Sequence, residues 1–365
     1  MVQQGIVVGI VALLVVPGLF SMSTTTQAMG SGVITVDDEP GDADYTSIGD
    51  AVEHSQAGDT IEVYSGWYNE PIIDVGRQAL KVKGVAHELG SGNDTGKPIV
   101  NSTRGQTFVV WGKSVVISNF SFYCLNDAVD VFADNCTICD NDVKGGLWPI
   151  NIRDDERPRY FIGAQILRNT IENVSNAVTY YGIDGTISAN RISRCYEAID
   201  VGYGSQETTI SHNIITGCSI GIQYSDGSGL IANNSVSAWH GLELSVPAGD
   251  HVLVLHNIFH NCSIGLDVFI QRNTTRVVEN NFIDNKYDVW FYQNHPRDYN
   301  LFSPIFSDNF YDSWQGTGPV VIRGRAVIFW IPFLVEMEIF FEIPIWVPWF
   351  YRDRHPAQTP FEIDV

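Results

Sequence analysis

The sequence predicts an all-β solenoid, in which short strands complete one coil per repeat and each coil stacks on the one before. The segment HNIITGCSIGIQY at residues 212–224 is echoed 44 residues later by HNIFHNCSIGLDV at residues 256–268, with seven of thirteen positions identical. Related units recur between these two segments and on both sides of them. Self-similarity at a fixed period of this size is typical of repeat architectures.

Each unit can be aligned on one asparagine. Successive anchors are mostly 21–24 residues apart, so the 44-residue echo spans two units of about 22–24 residues. The one longer step, 28 residues, contains the insertion RDDERPRY at residues 153–160, which we expect to form a loop. The anchors are Asn119, Asn141, Asn169, Asn190, Asn213, Asn234, Asn257 and Asn281.

Short strands flank each anchor, and their spacing indicates how the units pack. A second strand with alternating polarity follows each anchor by about ten residues, a pattern that neither α-helices nor βαβ units show. Stacked coils would bury equivalent residues about 4.8 Å apart. We expect each anchor asparagine to lie at a bend, in a left-handed backbone conformation, and to bond the next asparagine. The buried column predicted three residues before the anchors is Val116, Ile138, Ile166, Ile187, Ile210, Ile231, Val254 and Val278.

The segment before the repeats carries a resemblance. Residues 45–85 read YTSIGDAVEHSQAGDTIEVYSGWYNEPIIDVGRQALKVKGV. Together with the repeats, this segment resembles the right-handed parallel β-helices of the pectate lyases and of the NosD-type periplasmic copper-binding family, over about residues 33–300. The resemblance implies a single-stranded right-handed parallel β-helix, closed at its N-terminal end by a short helix that buries Ile48, Ala51 and Val52. Because this fold hosts many activities, the resemblance does not by itself assign a function.

The predicted organisation has four parts. Residues 1–28 are a signal peptide or a membrane anchor, residues 33–114 the N-terminal cap and first coils, and residues 115–307 the repeats. Residues 308–365 are a C-terminal capping segment. The stretch 326–350 is apolar, but Glu336, Glu338 and Glu342 lie within it, and charges are costly inside a bilayer. We therefore expect two or three strands that cap the solenoid, with a membrane-associated or partner-docking patch as the alternative.

Composition limits the partners. The chain has 365 residues and a net charge of −21, so its surface repels nucleic acid and anionic membranes and suits cations or neutral glycans. The apolar run at residues 5–20 and the small residues after it predict export, with a cleaved signal peptide favoured over an uncleaved anchor. We expect an extracellular or cell-surface protein that contacts a membrane only through this run, if at all.

The outward positions of the second strand are the candidate functional residues. They form a predicted ladder of Asp130, Asn151, Thr179, Asp200, Gln223, Glu243, Asp267 and Trp290. A solvated polar face is the simplest interpretation; a glycan-binding face with Asp130, Gln223 and Trp290 is the second. The third is a catalytic site with Asp200, Glu243 and Asp267. Glu243 and Asp267 lie in consecutive coils, where carboxylates about 5 Å apart suit a retaining glycosidase or two ligands of a Ca²⁺ ion. The ladder contains no arginine, which a lyase would need.

Cysteine and histidine give little indication of a metal site. Cys124, Cys195, Cys218 and Cys262 share one phase in the repeat, which favours buried thiols, although a disulfide between Cys195 and Cys218 is compatible with their spacing. His212 and His256 share a phase but lie two coils apart, too far to bind one ion. We predict no metal site from these residues, with Ca²⁺ as the only cofactor that the acidic residues suit.

The sequence therefore predicts an exported, acidic β-helix that acts as a non-catalytic binding or structural module. Glycans are the favoured ligand by resemblance, and other cell-surface proteins are further candidate partners. A polysaccharide lyase or glycoside hydrolase is the first alternative, and a NosD-like accessory protein for metal-site assembly is the second. No recognisable catalytic motif decides between them.

Overall fold

The structure is a computed structural model. It describes residues 31–102, 105–153, 160–202, 204–225, 227–246, 250–270, 275–293, 305–315, 319–334, 340–353 and 355–365. The predicted leader at residues 1–28 lies outside these ranges, as do residues 154–159 of the predicted loop. Among the described residues, no helix is long and apolar enough to cross a membrane.

The elements follow one another in short steps along the chain. The first are β1 (Val33–Val36), α1 (Ile48–His54), β2 (Thr60–Val63), β3 (Trp67–Glu70), β4 (Ile73–Val75), β5 (Lys81–Gly84), β6 (Ile99–Ser102), β7 (Phe108–Val110), β8 (Val116–Ser118), β9 (Ser121–Tyr123) and β10 (Val129–Val131). The central ones are β11 (Thr137–Cys139), β12 (Asp142–Lys144), β13 (Ile150–Ile152), β14 (Phe161–Ile162), β15 (Gln165–Leu167), β16 (Thr170–Tyr180), β17 (Gly182–Ile183), β18 (Thr186–Ser188), β19 (Arg191–Val201), β20 (Thr208–Ser211) and β21 (Ile214–Tyr224). The last are β22 (Gly229–Ala232), β23 (Ser235–Val246), β24 (Val252–Leu255), β25 (Ile258–His260), β26 (Ile264–Ile270), β27 (Arg276–Val278), β28 (Asn281–Ile283), β29 (Tyr287–Gln293), β30 (Ile305–Ser307), β31 (Phe310–Tyr311), β32 (Val320–Leu334) and β33 (Phe340–Asp353).

These strands stack in three parallel columns, which confirms the predicted parallel β-helix. Column 1 runs β1-β2-β5-β8-β11-β15-β18-β20-β22-β24-β27-β30. Column 2 runs β3-β6-β9-β12, continues through the first halves of β16, β19, β21 and β23, and ends with β25-β28-β31. Column 3 runs β4-β7-β10-β13, the second halves of the same long strands, and then β26-β29-β32. Each coil thus buries one short strand from each column against its neighbours.

The predicted asparagine stack is present as a fully buried column of hydrogen bonds, here called the inner ladder. The Nδ2 of each member donates to the Oδ1 of the next at 2.9–3.1 Å. The same Oδ1 also accepts the backbone N–H of the preceding member, so each amide bridges two coils. The members are Asn141, Asn169, Asn190, Asn213, Asn234, Asn257, Asn280 and Asn309.

Two of the predicted anchors were wrong by one residue. Phe120, not Asn119, holds the first position, since its backbone N–H donates to Asn141 Oδ1 at 3.0 Å. At the other end, Asn280 belongs to the ladder, whereas Asn281 bonds the backbone of Phe361 in both directions. The buried column shifts with them: Ile117 and Val277 are fully buried, in place of the predicted Val116 and Val278.

The prediction of a left-handed backbone at the anchor asparagines was correct for Asn119, whose φ is 63°, and wrong for the ladder asparagines. The positive φ, between 54° and 60°, belongs to the residue immediately before each asparagine. That residue makes the bend, which leaves the asparagine free to direct its amide into the coil. The bend residues are Asp140, Arg168, Ala189, His212, Asn233, His256, Glu279 and Asp308.

Both ends of the solenoid are covered. At the N-terminal end, Ile48, Ala51 and Val52 of α1 are buried, as predicted. At the other end, β32 pairs parallel with β29 and antiparallel with β33, so the predicted C-terminal cap consists of two long strands. Asp353 in β33 is fully buried and accepts hydrogen bonds from Asn309 and from the Tyr311 hydroxyl, which terminates the inner ladder.

Candidate functional site

The eight candidate residues of column 3 lie in register, one per coil, and form what we call the outer ladder. Adjacent strands pair Asp130 with Asn151, Asp200 with Gln223, and Glu243 with Asp267. The remaining pairs link Thr179 and Trp290 into the same series. The sequence therefore predicted this alignment correctly, including the neighbouring position of Glu243 and Asp267.

The simplest interpretation, a solvated face, was wrong for the N-terminal half of the outer ladder. Asp130 and Thr179 are each 1% exposed and Asp200 is 7% exposed. Gln223, Glu243, Asp267 and Trp290 are half-buried. Several buried polar atoms of the ladder have no hydrogen-bond partner among the described residues, an arrangement that calls for an explanation in a folded protein. These atoms are Asn151 Oδ1, Thr179 Oγ1, Asp200 Oδ1, Asp267 Oδ1 and Trp290 Nε1.

A second row of polar side chains lies three residues before the ladder and helps to bury it. Asp127 precedes Asp130 in this way, and the two carboxyl groups share a hydrogen bond. Burial, followed by the neighbouring Asp130, raises the pKa of Asp127 to about 7. Burial also raises the pKa of Asp130, although Asn151 donates to its Oδ1 at 2.9 Å and Gln106 donates to its other oxygen. Burial and the second carboxyl group therefore both favour the neutral form of Asp127.

Glu197 and Asp200 repeat this arrangement three coils further on. Burial is the main cause that raises the pKa of Glu197 to about 7 and that of Asp200 to about 6. The Asn176 amide donates to Glu197, and the Tyr181 hydroxyl donates to Asp200 Oδ2 at 3.3 Å. Burial therefore raises the pKa of both carboxyl groups in this second pair, as it does in the first.

Arg153 is the residue that sequence reasoning missed. It follows Asn151 by two positions, so the alternation of the strand places it on the same face, beside the ladder rather than in it. Its positive charge partly offsets the rise in the pKa of Asp127, Asp130 and Asp200. Its guanidinium lies 5.2 Å from the centre of the Trp148 ring. None of the eight ladder residues is an arginine. The position that follows Trp290 in the next strand of column 3, however, is Arg323.

Aromatic side chains follow some positions of column 3 by two residues, in two groups that lie toward its ends; the positions two residues after Asn151, Asp200, Gln223 and Glu243 hold Arg153, Gly202, Ser225 and Ser245 instead. Trp111 is 56% exposed and stacks on Phe132 with ring centres 4.6 Å apart. Alternation places these side chains on the outward face, whereas Tyr180 and Tyr224 point into the core. These aromatic residues, here called the aromatic row, are Trp111, Phe132, Tyr181, Phe269 and Tyr292.

Glu243 and Asp267 line a cavity of about 310 Å³ with Gln223, Phe269 and Tyr292. The Nδ1 of His240, three residues before Glu243, is in hydrogen-bond contact with Glu243 Oε1. Burial raises the pKa of Asp267 to about 6, with His240 acting against this shift and Glu243 adding to it. The two carboxyl groups thus have different surroundings, one paired with an imidazole and one desolvated.

Cys195 and Cys218 form a disulfide, with Cα atoms 4.6 Å apart. The favoured interpretation of all four in-phase cysteines as buried thiols was therefore wrong for this pair, and correct for Cys124 and Cys262. Counting five residues from Asn234 would place Trp239 next to Cys218 in the following coil. The strands shift register there, so the neighbour of Cys218 is Ala238, and Trp239 is exposed. The sequence left both alternatives open because spacing along the stack does not fix the direction of the Cβ atoms.

A scan of family models matches residues 158–314 to the family described as periplasmic copper-binding protein (NosD). The chain is a right-handed parallel β-helix. The matched segment covers the outer ladder from Thr179 to Trp290. No curated protein matches the chain.

Solved structures of similar fold include a Dettilon tailspike protein, with 14% identity, a TM-score of 0.45, and coverage of 84% of this chain and 74% of that chain. A mannuronic-acid-specific polysaccharide lyase from human gut microbiota has 12% identity and a TM-score of 0.34, and covers 70% and 77%. A pectin methylesterase from Aspergillus niger has 15% identity and a TM-score of 0.35, and covers 70% and 85%. Identities this low concern the fold alone.

The copper named in the family description does not fit the residues described here. Within the described ranges, the groups of side chains that could hold a metal ion consist of carboxylates only. Copper prefers imidazole and sulfur ligands. His256 instead bonds Glu279, and His212 lies within 3.4 Å of the Asn233 amide.

Proposed function

We propose that this chain is an exported module that binds a neutral glycan along column 3. Export agrees with the disulfide between Cys195 and Cys218, because such bonds persist in oxidising compartments. The apolar leader predicted from the sequence supports the same location.

The observation that carries the proposal is the pairing of the outer ladder with the aromatic row. Aromatic rings such as Trp111 present apolar faces on which sugar rings can stack. The half-buried side chains of Gln223, Glu243 and Asp267 line a cavity with Phe269 and Tyr292, where sugar hydroxyl groups can donate to them or accept from the Gln223 amide. A binding site with a few placed polar groups beside aromatic surface is the usual form of a small-molecule or glycan site.

Charge argues for a neutral glycan. Five of the acids described above, Asp127, Asp130, Glu197, Asp200 and Asp267, are buried or half-buried along one face. With a net charge of −21, this surface repels a polyanion. An uncharged sugar chain meets no such repulsion.

The test is a binding titration of the full chain with soluble xylan and mannan as neutral probes and with alginate and polygalacturonate as acidic probes. Binding of a neutral probe should weaken at least tenfold in Trp111→Ala. The control is Trp67→Ala, since Trp67 is 52% exposed but belongs to column 2. Absence of binding to any probe, or equal losses in the two variants, would count against the proposal.

A second candidate function is glycoside hydrolysis by Glu243 and Asp267. Neighbouring parallel strands lie about 4.8 Å apart, close to the roughly 5–5.5 Å that separates the carboxyl groups of retaining enzymes. Asp267, with its raised pKa, would donate a proton to the glycosidic oxygen as that bond breaks. Glu243, held by His240, would form a bond to the anomeric carbon, and water would then hydrolyse this ester with Asp267 as base.

Hydrolysis is tested by reducing-end release from the same four glycans. Activity should fall by more than about a thousandfold in Glu243→Gln and in Asp267→Asn if these residues are catalytic. Glu53→Gln is the control, because Glu53 is an exposed acid of α1, outside column 3. Binding without any release would leave the module non-catalytic, and release of unsaturated ends would indicate a lyase that uses Arg153.

A further inference from the structure

An acidic cluster lies at the N-terminal end of the solenoid, away from the outer ladder. It joins the loop that follows β1 to the loop that follows β5. Oxygen atoms of Asp37, Glu39 and Glu88 lie within 4.8 Å of one another, and so do those of Asp38, Glu39 and Asp94. Glu39 belongs to both groups, so the five carboxylates form one continuous cluster, which we call the N-terminal acidic cluster.

Asp37 is the strongest indication that this cluster binds a ligand. Its side chain is fully buried, and both of its carboxylate oxygens lack a hydrogen-bond donor among the described residues. Asp38 Oδ1 and Glu39 Oε2 are likewise buried without a donor. Burying an ionised carboxylate without a partner costs several kcal/mol or more, which is why such groups are normally paired or coordinate metals.

The geometry of the cluster is fixed by backbone donors on its outer side. Glu88 Oε2 accepts the Asp94 N–H at 2.8 Å, and Asp38 Oδ2 accepts the Trp67 N–H at 3.0 Å. Nearby, Asp42 Oδ2 accepts both the N–H and the hydroxyl of Ser91, which ties the two loops together. These bonds hold the carboxylates in place even though their charges repel one another.

Two glycines allow the carboxylates to approach the backbone so closely. A Cβ atom at Gly66 would lie 2.1 Å from Asp38 Oδ1. A Cβ atom at Gly92 would lie 2.3 Å from Glu88 Oε2 and 2.8 Å from Glu39 Oε1. Any other residue would displace these oxygens from the cluster.

We propose that the N-terminal acidic cluster is a binding site for a divalent cation of the calcium type. Ca²⁺ takes about six to eight oxygen ligands at about 2.3–2.6 Å, so two oxygens bound to one ion are at most about 5 Å apart. The separations of up to 4.8 Å meet that limit without rearrangement. Mg²⁺ is smaller and prefers to keep several waters, and copper prefers nitrogen and sulfur, so neither matches an all-carboxylate site of this size.

A bound cation would lock the loop of residues 37–45 onto the loop of residues 85–95. Both loops adjoin the first strands of column 1, close to α1. The ion would therefore stabilise the N-terminal end of the solenoid by cross-linking the loops that follow the first and third strands of column 1, on either side of β2. This role is independent of glycan binding in column 3.

The test uses the full chain, freed of metal with a chelator and titrated by calorimetry with CaCl₂ and separately with MgCl₂. We expect Ca²⁺ to bind at least tenfold more tightly than Mg²⁺ and to raise the thermal midpoint by several degrees. Asp37→Asn and Glu39→Gln should each weaken Ca²⁺ binding at least tenfold. Glu53→Gln, an exposed acid of α1, is the control and should leave binding unchanged.

A third variant protects the test against misfolding. Asp94 is exposed, so Asp94→Asn leaves the core intact and should still weaken Ca²⁺ binding severalfold. Terbium, which replaces Ca²⁺ and luminesces when excited through nearby aromatic rings, should give a signal that added Ca²⁺ displaces and that Asp37→Asn lowers. Absence of a calorimetric signal and of a thermal shift, or equal binding in Asp37→Asn, Asp94→Asn and Glu53→Gln, would overturn the proposal.

Discussion

The inner ladder and the outer ladder are both buried, stacked columns of polar side chains with one member per coil, yet their hydrogen bonding differs. In the inner ladder, Asn213 donates to the Ile187 carbonyl and to Asn234, while its own Oδ1 accepts two bonds from Asn190. In the outer ladder, Thr179 is just as buried, but its hydroxyl has no partner among the described residues.

This difference separates architecture from function. A buried polar group that is fully bonded within the protein stabilises and specifies the fold. A buried polar group that the protein leaves unpartnered lowers stability, so its retention indicates a second use such as ligand binding. The inner ladder therefore belongs to the first class, and we assign the outer ladder to the second. The following predictions test that assignment.

The largest expected effect is in the inner ladder. Asn213→Leu would leave both donors of Asn190 and the Ile187 carbonyl without their partner inside the core. Since each unsatisfied buried group costs about 1–3 kcal/mol, we expect the free energy of unfolding to fall by about 4 kcal/mol. Urea unfolding followed by circular dichroism measures this loss. Asn69→Leu is the control, because Asn69 is exposed and donates nothing to the core; equal losses would refute the role of the ladder.

The disulfide should come next, because it joins two coils that both ladders cross. Cys195 and Cys218 are 23 residues apart, and closing a loop of that size stabilises a protein by roughly 3 kcal/mol through the unfolded chain. Reduction of the wild-type chain should lower its urea midpoint accordingly. The double variant Cys195→Ser/Cys218→Ser should already have the lower midpoint and should not respond to reductant. A response of that variant would show that reductant acts elsewhere.

In the outer ladder, removing a charge should stabilise the protein instead. The pKa of Asp200 is raised from 3.8 to about 6, so its ionisation costs stability as pH rises through that window. Asp200→Asn abolishes this cost, and we expect a gain of about 3 kcal/mol at pH 7.5, from about 1.4 kcal/mol for each pKa unit between 3.8 and 6. At pH 4 the difference should nearly vanish.

Unfolding at the two pH values checks this expectation. Asp74→Asn serves as control, because Asp74 occupies the same column in an exposed position. Should Asp200→Asn destabilise the chain at pH 7.5 as strongly as Asn213→Leu does, the outer ladder would be structural and the comparison would fail.

The repeat phase was enough to predict the parallel columns and the register of the outer ladder, because side-chain alternation and coil length are local properties. The helix cap was predicted from the resemblance of residues 45–85 to known parallel β-helices. The ends were harder. Asn119 and Asn281 lie next to the true ladder position, and only the backbone bend residue decides which neighbour points inward. The C-terminal member Asp353 could not be identified, because it comes from a strand outside the repeats.

The candidate site was predicted as a line of residues, but its chemistry depends on their lateral neighbours. Glu197 and Asp127 lie three positions before ladder residues, and Arg153 lies two positions after one. Periodicity along the stack shows neither these neighbours nor the burial of Asp200, and it is that burial that raises the pKa of Asp200. The alternation of strand β13 was the one signal that could have indicated Arg153.

The smallest change in stability is expected for Thr179→Val, and this variant distinguishes the hydrogen bonding of the outer ladder from that of the inner ladder most directly. Thr179→Val replaces a buried, unpartnered hydroxyl by a methyl group of similar shape. Because no bond is lost, we expect the free energy of unfolding to change by less than about 1 kcal/mol. Binding of the neutral glycan probe should nevertheless weaken severalfold, since the hydroxyl would no longer be available to it.

Thr209→Val is the matched control for that substitution, because Thr209 lies in β20 of column 1, on a different face of the coil. It should change neither stability nor binding. If Thr179→Val destabilises the chain by several kcal/mol, the hydroxyl has a structural partner and resembles the inner ladder. If it leaves both stability and glycan binding unchanged, the unpartnered atoms of the outer ladder do not contact the ligand, and binding would have to rest on the aromatic row alone.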